Sequence, residues 1–256
     1  MAAEDGVRAR PGVIALVGSG EYTPAMDDTD RQLLDSLGGV SAVRVALLPT
    51  ASGQEPGSPA RWNEMGCRHF ERLGVAEVCA TLIIDAASAA DPAQLALLRE
   101  ADLYYFSGGD PEYLVETMRG SPAWEIISAA HQLGAVLAGC SAGAMALGDR
   151  SLSIRRARTD DQPVWLEALG VVPRIIVFPH FDRMTHFMGE ERFRALLAMV
   201  PPGYVAAGID EDTALVRLPT GGEDISRWRV TGRQTVTIVR GGELPHVLRV
   251  GDEVTI

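Results

Sequence analysis

The sequence predicts an α/β fold, a three-layer sandwich in which helices cover both faces of a mainly parallel sheet. Short apolar segments alternate with segments of helical periodicity through residues 13–138, which is the pattern of successive βαβ units. Several of the apolar segments end in glycine-rich turns. Residues 227–256 instead alternate between polar and apolar side chains, which predicts antiparallel strands at the C-terminus.

The elements of the first half follow from apolar runs and from helix start and stop signals. Strands are predicted over 13–17, 43–48, 78–84, 103–106 and 136–138. Helices are predicted over 27–37, 62–73, 91–100 and 122–133, with a further short helix that Pro111 begins. Asp91 and Pro92 illustrate the reasoning, since aspartate caps a helix N-terminus and proline fits its first turn.

The second half is more polar at its start and then returns to strands. Residues 151–163 are arginine-rich and predict a loop or a hairpin. Strands are predicted over 175–178, 205–209 and 213–216, and a helix over 190–199. No linker, repeat or low-complexity segment interrupts the chain, so we expect a single domain over 1–256 with residues 1–11 flexible.

Composition excludes several classes of partner. The chain has 34 acidic and 23 basic residues and a formal net charge of −11, which argues against nucleic acid and anionic membranes as partners. Its three cysteines form no C-x-x-C pair, which disfavours a disulfide framework or a structural zinc site. The N-terminus is polar and no apolar run is long enough to span a bilayer. We therefore predict a cytoplasmic protein.

One pentapeptide has the spacing of a nucleophile elbow. Gly139-Cys140-Ser141-Ala142-Gly143 follows an apolar strand and precedes small residues compatible with a helix. A sharp strand-to-helix turn has no room for flanking side chains, which explains a glycine on either side of an exposed serine. The alternative is a glycine-rich turn with an ordinary surface serine, and the flanking elements favour the elbow.

A serine nucleophile needs a general base and a carboxylate that orients it. Of the five histidines, His180 is favoured because it follows a strand and is expected at the same sheet edge as Ser141. Asp161 and Glu211 both qualify as the orienting acid, and spacing alone leaves the choice open. Structural or surface roles are the better interpretation of the helical and C-terminal histidines, His69, His131 and His246, and His186 follows His180 by six residues.

The oxyanion of a tetrahedral intermediate needs backbone N–H donors. The amide of Ala142 directly follows the candidate nucleophile, and Gly108 or Gly109 can bring a second amide close to the substrate. Cys140 is a rival nucleophile, but it lies one position before the apex of the turn, so a packing role is the favoured interpretation.

Five motifs in order resemble the peptidase S51 family, which contains aspartyl dipeptidase and cyanophycinase on a class I glutamine amidotransferase-like fold. They lie between Val13 and Val216 and read LLPTAS (47–52), YYFSGGD (104–110), AGCSAGA (138–144), FPHF (178–181) and GIDEDTA (208–214). Their order and spacing together are far more specific than the elbow alone.

The resemblance implies a role for each candidate residue. Ser141 would be the nucleophile, His180 the base and Glu211 the orienting acid, with Asp161 as a lesser candidate. The amides of Gly108, Gly109 and Ala142 would form the oxyanion hole. It further implies catalysis without a metal or organic cofactor and a small peptide substrate, with an aspartyl or isoaspartyl residue at the cleaved bond.

The sequence departs from the dipeptidase pattern where substrate would bind. Asp110 stands where dipeptidases usually carry asparagine, and no arginine matches securely the one that would hold an aspartyl carboxylate. The candidates for substrate binding are Asp110, Arg183 and Arg192, together with the arginine cluster Arg155, Arg156 and Arg158.

Two further hypotheses belong to other functional classes. One is an amidotransferase-like enzyme that uses Cys140, and the other is a non-catalytic binding protein on the same fold. The sequence leaves the oligomeric state open, with a homodimer as one candidate.

Overall fold

Two mixed β-sheets and the helices packed on them make up the α/β fold. The computed structural model describes residues 10–157, 163–218, 226–241 and 243–256. Residues 1–9, most of the segment expected to be flexible, lie outside this description, as does Asp161. In the described ranges, no helix is both long and apolar enough to cross a membrane.

The strands are short and most are buried. In chain order they are β1 (Ile14–Val17), β2 (Arg44–Leu48), β3 (Glu77–Ala80), β4 (Leu103–Phe106), β5 (Val136–Cys140), β6 (Arg150–Leu152), β7 (Trp165–Glu167), β8 (Ile175–Pro179), β9 (Val205–Ile209), β10 (Thr213–Arg217), β11 (Arg227–Gly232), β12 (Thr235–Arg240), β13 (His246–Arg249) and β14 (Glu253–Thr255).

The helices lie between the strands. They are α1 (Asp27–Asp35), α2 (Ser58–Leu73), α3 (Pro92–Arg99), α4 (Pro111–Met118), α5 (Pro122–Gln132), α6 (Ala142–Leu147), α7 (Ile154–Ala157), α8 (Met184–Met188) and α9 (Glu190–Ala198). The predicted cap is confirmed at α3, where the Asp91 side chain accepts hydrogen bonds from the amides of Ala93 and Gln94.

The first sheet has the order β14-β11-β10-β1-β5-β4-β2-β3. Its strands β1, β5, β4, β2 and β3 are parallel, while β10, β11 and β14 join antiparallel. The predicted class is therefore confirmed, including the antiparallel C-terminal strands. The carboxyl ends of β1, β4 and β5 bring their three glycine-containing turns to one edge, where ligands bind in parallel sheets.

A second sheet has the order β13-β12-β9-β8-β6-β7. Strands β6, β8 and β9 are parallel, and β7, β12 and β13 are antiparallel to their neighbours. The sequence predicts a loop or hairpin over 151–163, but α7 occupies residues 154–157 of this segment, and the antiparallel partner of β6, β7, begins after it. The C-terminal segment is split, since β11 and β14 join the first sheet while β12 and β13 join the second.

Alternating side chains along each strand divide the core between the layers. Val45 and Leu47 of β2 pack with α1 and α2 on one face of the first sheet. Ala46 and Leu48 pack on the other face, in a cluster that includes α3 to α6 and residues of the second sheet. The far face of the second sheet packs against α9. Both sheets are thereby fixed to one shared core.

Strand β3 is shorter than the predicted span of 78–84. It ends at Ala80, although the Thr81 amide still donates to the Leu47 carbonyl of β2 at 3.3 Å. The next donor from the neighbouring segment would be Pro49, which has no N–H, and the Thr81 carbonyl accepts from the Asn63 side chain of α2 at 2.7 Å instead. No local pattern in residues 78–84 indicates this.

Candidate active site

Ser141 lies at the apex of the predicted strand-to-helix turn. Its backbone has φ 51° and ψ −110°, a conformation that L residues rarely adopt. A Cβ at Gly139 would lie 2.5 Å from the carbonyl carbon of Gly143, and one at Gly143 would lie 2.4 Å from the carbonyl oxygen of Phe106. Both glycines are therefore required by close backbone contacts, and the turn presents the serine at the sheet edge.

The Ser141 hydroxyl contacts His180. Its Oγ lies 2.7 Å from the Nε2 of His180, and the Nδ1 of the same ring lies 3.3 Å from the Oε1 of Glu211. A neutral ring with its proton on Nδ1 accepts from the serine and donates to the carboxylate. The structure thus brings these three predicted residues together in the order hydroxyl, imidazole, carboxylate.

The expectation that His180 shares a sheet edge with Ser141 is wrong in one respect. Ser141 follows β5 in the first sheet, whereas His180 follows β8 and Glu211 follows β9, both in the second sheet. The residues meet because both sheets pack against α6, which begins directly after Ser141. The site is therefore assembled between two sheets.

Local contacts hold Glu211 beside the imidazole. Its backbone amide donates a hydrogen bond to the Asp182 carboxylate at 3.0 Å. Arg183 donates from Nε to its Oε2 at 3.3 Å. One carboxylate oxygen of Glu211 thus faces His180 and the other faces a cation. The sequence predicts that Arg183 contacts substrate, but its guanidinium lies against Glu211 and not on the described wall of the cavity.

The backbone N–H donors around Ser141 differ in whether a hydrogen-bond acceptor already occupies them. The Gly108 amide donates to Oε1 of Glu21 at 3.0 Å, so in this arrangement it is not available to an oxyanion, contrary to the expectation from sequence. No acceptor for the amides of Gly109 and Ala142 lies among the residues that the structure describes. Gly109 has φ 144°, and a Cβ there would lie 2.4 Å from the backbone of Ala51.

Glu21 is a residue of the site that sequence reasoning missed. It is only 6% exposed, and its second oxygen, Oε2, accepts a hydrogen bond from the Cys140 thiol at 2.9 Å. One buried carboxylate thus joins the turn after β4 to the end of β5. The available signal was a glutamate in the glycine-containing turn directly after β1, at the edge predicted to carry the site.

Cys140 has the properties of a buried structural thiol. Burial raises the pKa of its thiol well above the usual value, and the negative charge of Glu21 raises it further. The thiolate is the nucleophilic form of cysteine, so a protonated and fully buried thiol disfavours the rival hypothesis that Cys140 reacts.

A cavity of about 380 Å³ opens beside Ser141 and His180. Asp110 and Arg155 lie on its wall, where the guanidinium donates to Oδ2 of Asp110 at 2.9 Å and 3.1 Å. The other oxygen of Asp110 caps α4. Arg192 lies on the exposed side of α9 and, like Arg183, is not part of the described cavity lining.

Metal coordination has no built candidate in the described ranges. In residues 10–157, 163–218, 226–241 and 243–256, no group of three or more His, Cys, Asp or Glu side chains is arranged to hold an ion. The buried His69 is instead paired with Asp30, with Nε2 and Oδ2 2.7 Å apart. Nδ1 of His131 faces the carbonyl oxygen of Ala135 at 2.8 Å, so both helical histidines have structural partners, as predicted.

The contacts among serine, histidine and glutamate are typical of hydrolases with a serine nucleophile, in which the same arrangement recurs on unrelated folds. The sequence profile of peptidase family S51 matches residues 14–221. The chain belongs to peptidase family S51.

Individual relatives agree with this assignment. A cyanophycinase of Synechococcus elongatus is 29% identical over 222 residues, a match that spans 82% of this chain and 63% of the cyanophycinase. The chain thus spans less than two thirds of the length of that relative. The crystal structure of a peptidase from an acI-B1 Actinobacterium has a TM-score of 0.84 and 32% identity, covering 97% of this chain and 98% of that one.

A more distant structure shares only the fold. It is that of a proposed peptidase E protein from Listeria monocytogenes EGD-e, with a TM-score of 0.58 and 17% identity, covering 87% of this chain and 98% of that one.

Proposed function

We propose that the protein is a serine-type peptidase that hydrolyses a small peptide or isopeptide amide bond through an acyl-enzyme. The observation that carries this proposal is the contact of 2.7 Å between Ser141 Oγ and His180 Nε2, with Glu211 on the opposite ring nitrogen. Family membership supports it, as do the names of the cyanophycinase and peptidase relatives.

The chemistry follows from the roles that these groups can take. The Ser141 oxygen attacks the amide carbonyl while His180 Nε2 takes the hydroxyl proton. Glu211 keeps the proton on Nδ1 and stabilises the imidazolium that forms. His180 then gives its proton to the leaving amine, and the C–N bond breaks to leave an ester on Ser141. Water, deprotonated by His180, hydrolyses the ester and restores the serine.

The negative oxygen of each tetrahedral intermediate needs donors that are not already used. The amides of Gly109 and Ala142 fit this role, because Ala142 directly follows the nucleophile and Gly109 follows β4 at the same edge. Glu21 acts as a positioning residue, since its carboxylate holds the neighbouring Gly108 amide and the Cys140 thiol in place.

Replacement of the nucleophile is the direct test. Ser141→Ala should lower kcat by about 10⁴-fold to 10⁶-fold, as loss of a nucleophile does in other serine hydrolases. The measurement is hydrolysis of a panel of dipeptides and isodipeptides by the purified chain, followed by separation of the products. Ser41→Ala is the matched control, because Ser41 is exposed and distant in sequence from every element of the site.

Labelling gives an independent readout of the same proposal. A fluorophosphonate should modify Ser141 in the wild-type chain and leave Ser141→Ala unmodified, as read by peptide mass spectrometry. Full hydrolytic activity in Ser141→Ala, or labelling confined to another residue, would exclude the serine mechanism.

A further inference from the structure

The cavity beside Ser141 has a mainly apolar wall. Six large apolar side chains are among those that line it together with the catalytic candidates, namely Met145, Leu152, Ile154, Phe178, Met184 and Phe187. The volume of about 380 Å³ is within the range of small-ligand sites. A wall of this composition stabilises an apolar group of a ligand by removing its surface from water. It offers few hydrogen-bond partners to a charged group.

Two of these side chains are exposed at the mouth. Ile154 is 37% exposed and Phe187 is 63% exposed, and they come from different elements, α7 and α8. Phe187 is the only aromatic residue among the strongly exposed large apolar side chains in the described part of the chain. Its ring meets that of His180 edge to face, with centroids 6.5 Å apart. Apolar surface left in water beside a reactive group is a feature of binding sites.

The charges on the same wall do not favour an acidic ligand. The described charged lining residues, apart from His180, are Glu55, Asp110 and Arg155. Arg155 is paired with Asp110 through two hydrogen bonds and lies 3.8 Å from the Glu116 carboxylate. Asp110 thus already compensates the charge of the guanidinium. The two carboxylates among the described lining residues outnumber the one guanidinium, so an incoming carboxylate meets no excess of positive charge.

We propose that this cavity is an apolar specificity subsite, which binds a leucine-like or phenylalanine-like side chain on a residue flanking the scissile bond, with Phe187 and Ile154 as its rim. The inference rests on the proposed peptidase activity and specifies the class of substrate. It differs from the aspartyl preference that the family resemblance implies. Contact of a bound apolar side chain with Phe187 and Ile154 would remove apolar surface of all three side chains from water.

The test compares matched dipeptides and rim variants. The dipeptides are Leu-Ala, Phe-Ala, Asp-Ala and Gly-Ala with their reversed sequences, and the readout is kcat/KM. We expect the better of the Leu and Phe peptides to exceed the Asp peptide by at least about tenfold, the discrimination that an apolar pocket provides. Phe187→Ala and Ile154→Ala should each lower kcat/KM for that peptide by about fivefold to tenfold more than they lower it for Gly-Ala.

Leu244→Ala is the matched control, because Leu244 is 90% exposed and is not part of the described lining. It should change no substrate by more than twofold. Preference for the Asp peptide, or an equal loss on every substrate in Phe187→Ala, would overturn the subsite. In that case hydrolysis that still depends on Ser141 would leave the peptidase proposal standing. If no peptide is hydrolysed and fluorophosphonate does not label Ser141, both proposals fall.

Discussion

The two halves of the candidate site are built in different ways. The nucleophile half, which contains the proposed nucleophile Ser141, belongs to the first sheet and is positioned by the close backbone contacts of the flanking glycines and by the buried carboxylate of Glu21. The base half, with His180 and Glu211, belongs to the second sheet. His180 also has an unusual backbone conformation, with φ 136°, but its side chain and that of Glu211 are each 31% exposed and are held by polar side-chain contacts. Close backbone contacts leave Ser141 little freedom to move, whereas the partly solvated side chains of His180 and Glu211 can change position.

The difference extends to the supporting residues. Glu21 accepts from two buried donors, and replacing it leaves both without a partner in a region that excludes water. Arg183, which supports Glu211, is exposed, and water can solvate the carboxylate in its place. We therefore expect the protein to tolerate changes to the supports of the base half better than changes to the nucleophile half.

The largest effect in this comparison should come from the acid itself. Glu211→Gln should lower kcat by about 10³-fold to 10⁴-fold, because a neutral amide neither selects the Nδ1 tautomer nor stabilises the imidazolium. Steady-state kinetics on the best dipeptide measures the loss, with a thermal unfolding curve to show an unchanged fold. Retention of more than a tenth of the activity would show that Glu211 does not orient His180. Asp161 is then the next candidate, and Asp161→Asn is the parallel variant.

A methyl group at the elbow tests the backbone half. Gly143→Ala should lower kcat/KM by at least about 100-fold, because its Cβ would lie 2.4 Å from the carbonyl oxygen of Phe106 and must displace the turn. The same variant should unfold at a lower temperature. Gly241→Ala is the control, since a Cβ there meets nothing within 4 Å. Equal behaviour of the two variants would contradict a site held by backbone contacts.

Removal of the buried carboxylate tests its positioning role. Glu21→Ala should cost about 1 to 3 kcal/mol of the free energy of unfolding, as expected when buried donors lose their acceptor. Its kcat should fall by about tenfold to 100-fold with little change in KM, because the turns that Glu21 holds carry the Gly109 and Ala142 amides proposed to bind the transition state. Glu21→Gln should recover part of the loss, since its carbonyl oxygen can still accept from Gly108. A decrease in stability with unchanged kcat would assign Glu21 a purely structural role.

Two smaller effects complete the series. Cys140→Ala should stay within about threefold of wild-type kcat, whereas a cysteine nucleophile predicts a loss of several orders of magnitude.

Arg183→Ala should lower kcat by about twofold to fivefold, the size expected for an exposed ion pair that supports Glu211 from solvent. Kinetics of both variants on one dipeptide decides between the alternatives. A larger loss in Arg183→Ala than in Glu21→Ala would reverse the order of the two halves.

Sequence reasoning succeeded where the cause is local. The helix cap at Asp91 and the strand-to-helix turn at Ser141 depend on residues a few positions apart, so their patterns are visible in the chain. It failed for the end of β3, where a side chain of α2 takes the carbonyl of Thr81. It also missed Glu21, whose two partners lie 87 and 119 residues away.

The sequence by itself determined the α/β class and the glycine spacing around Ser141, and it named Ser141, His180 and Glu211 among the candidates that meet there. Steric limits on a turn and the alternating burial of a strand depend on neighbouring residues, so these properties can be predicted without knowing which distant groups are in contact. Only the tertiary structure decided that Ser141 and His180 come from two different sheets and that Arg155 is paired with Asp110. It also decided that the Gly108 amide is occupied by Glu21. These outcomes depend on which distant groups the packed core brings within hydrogen-bond distance.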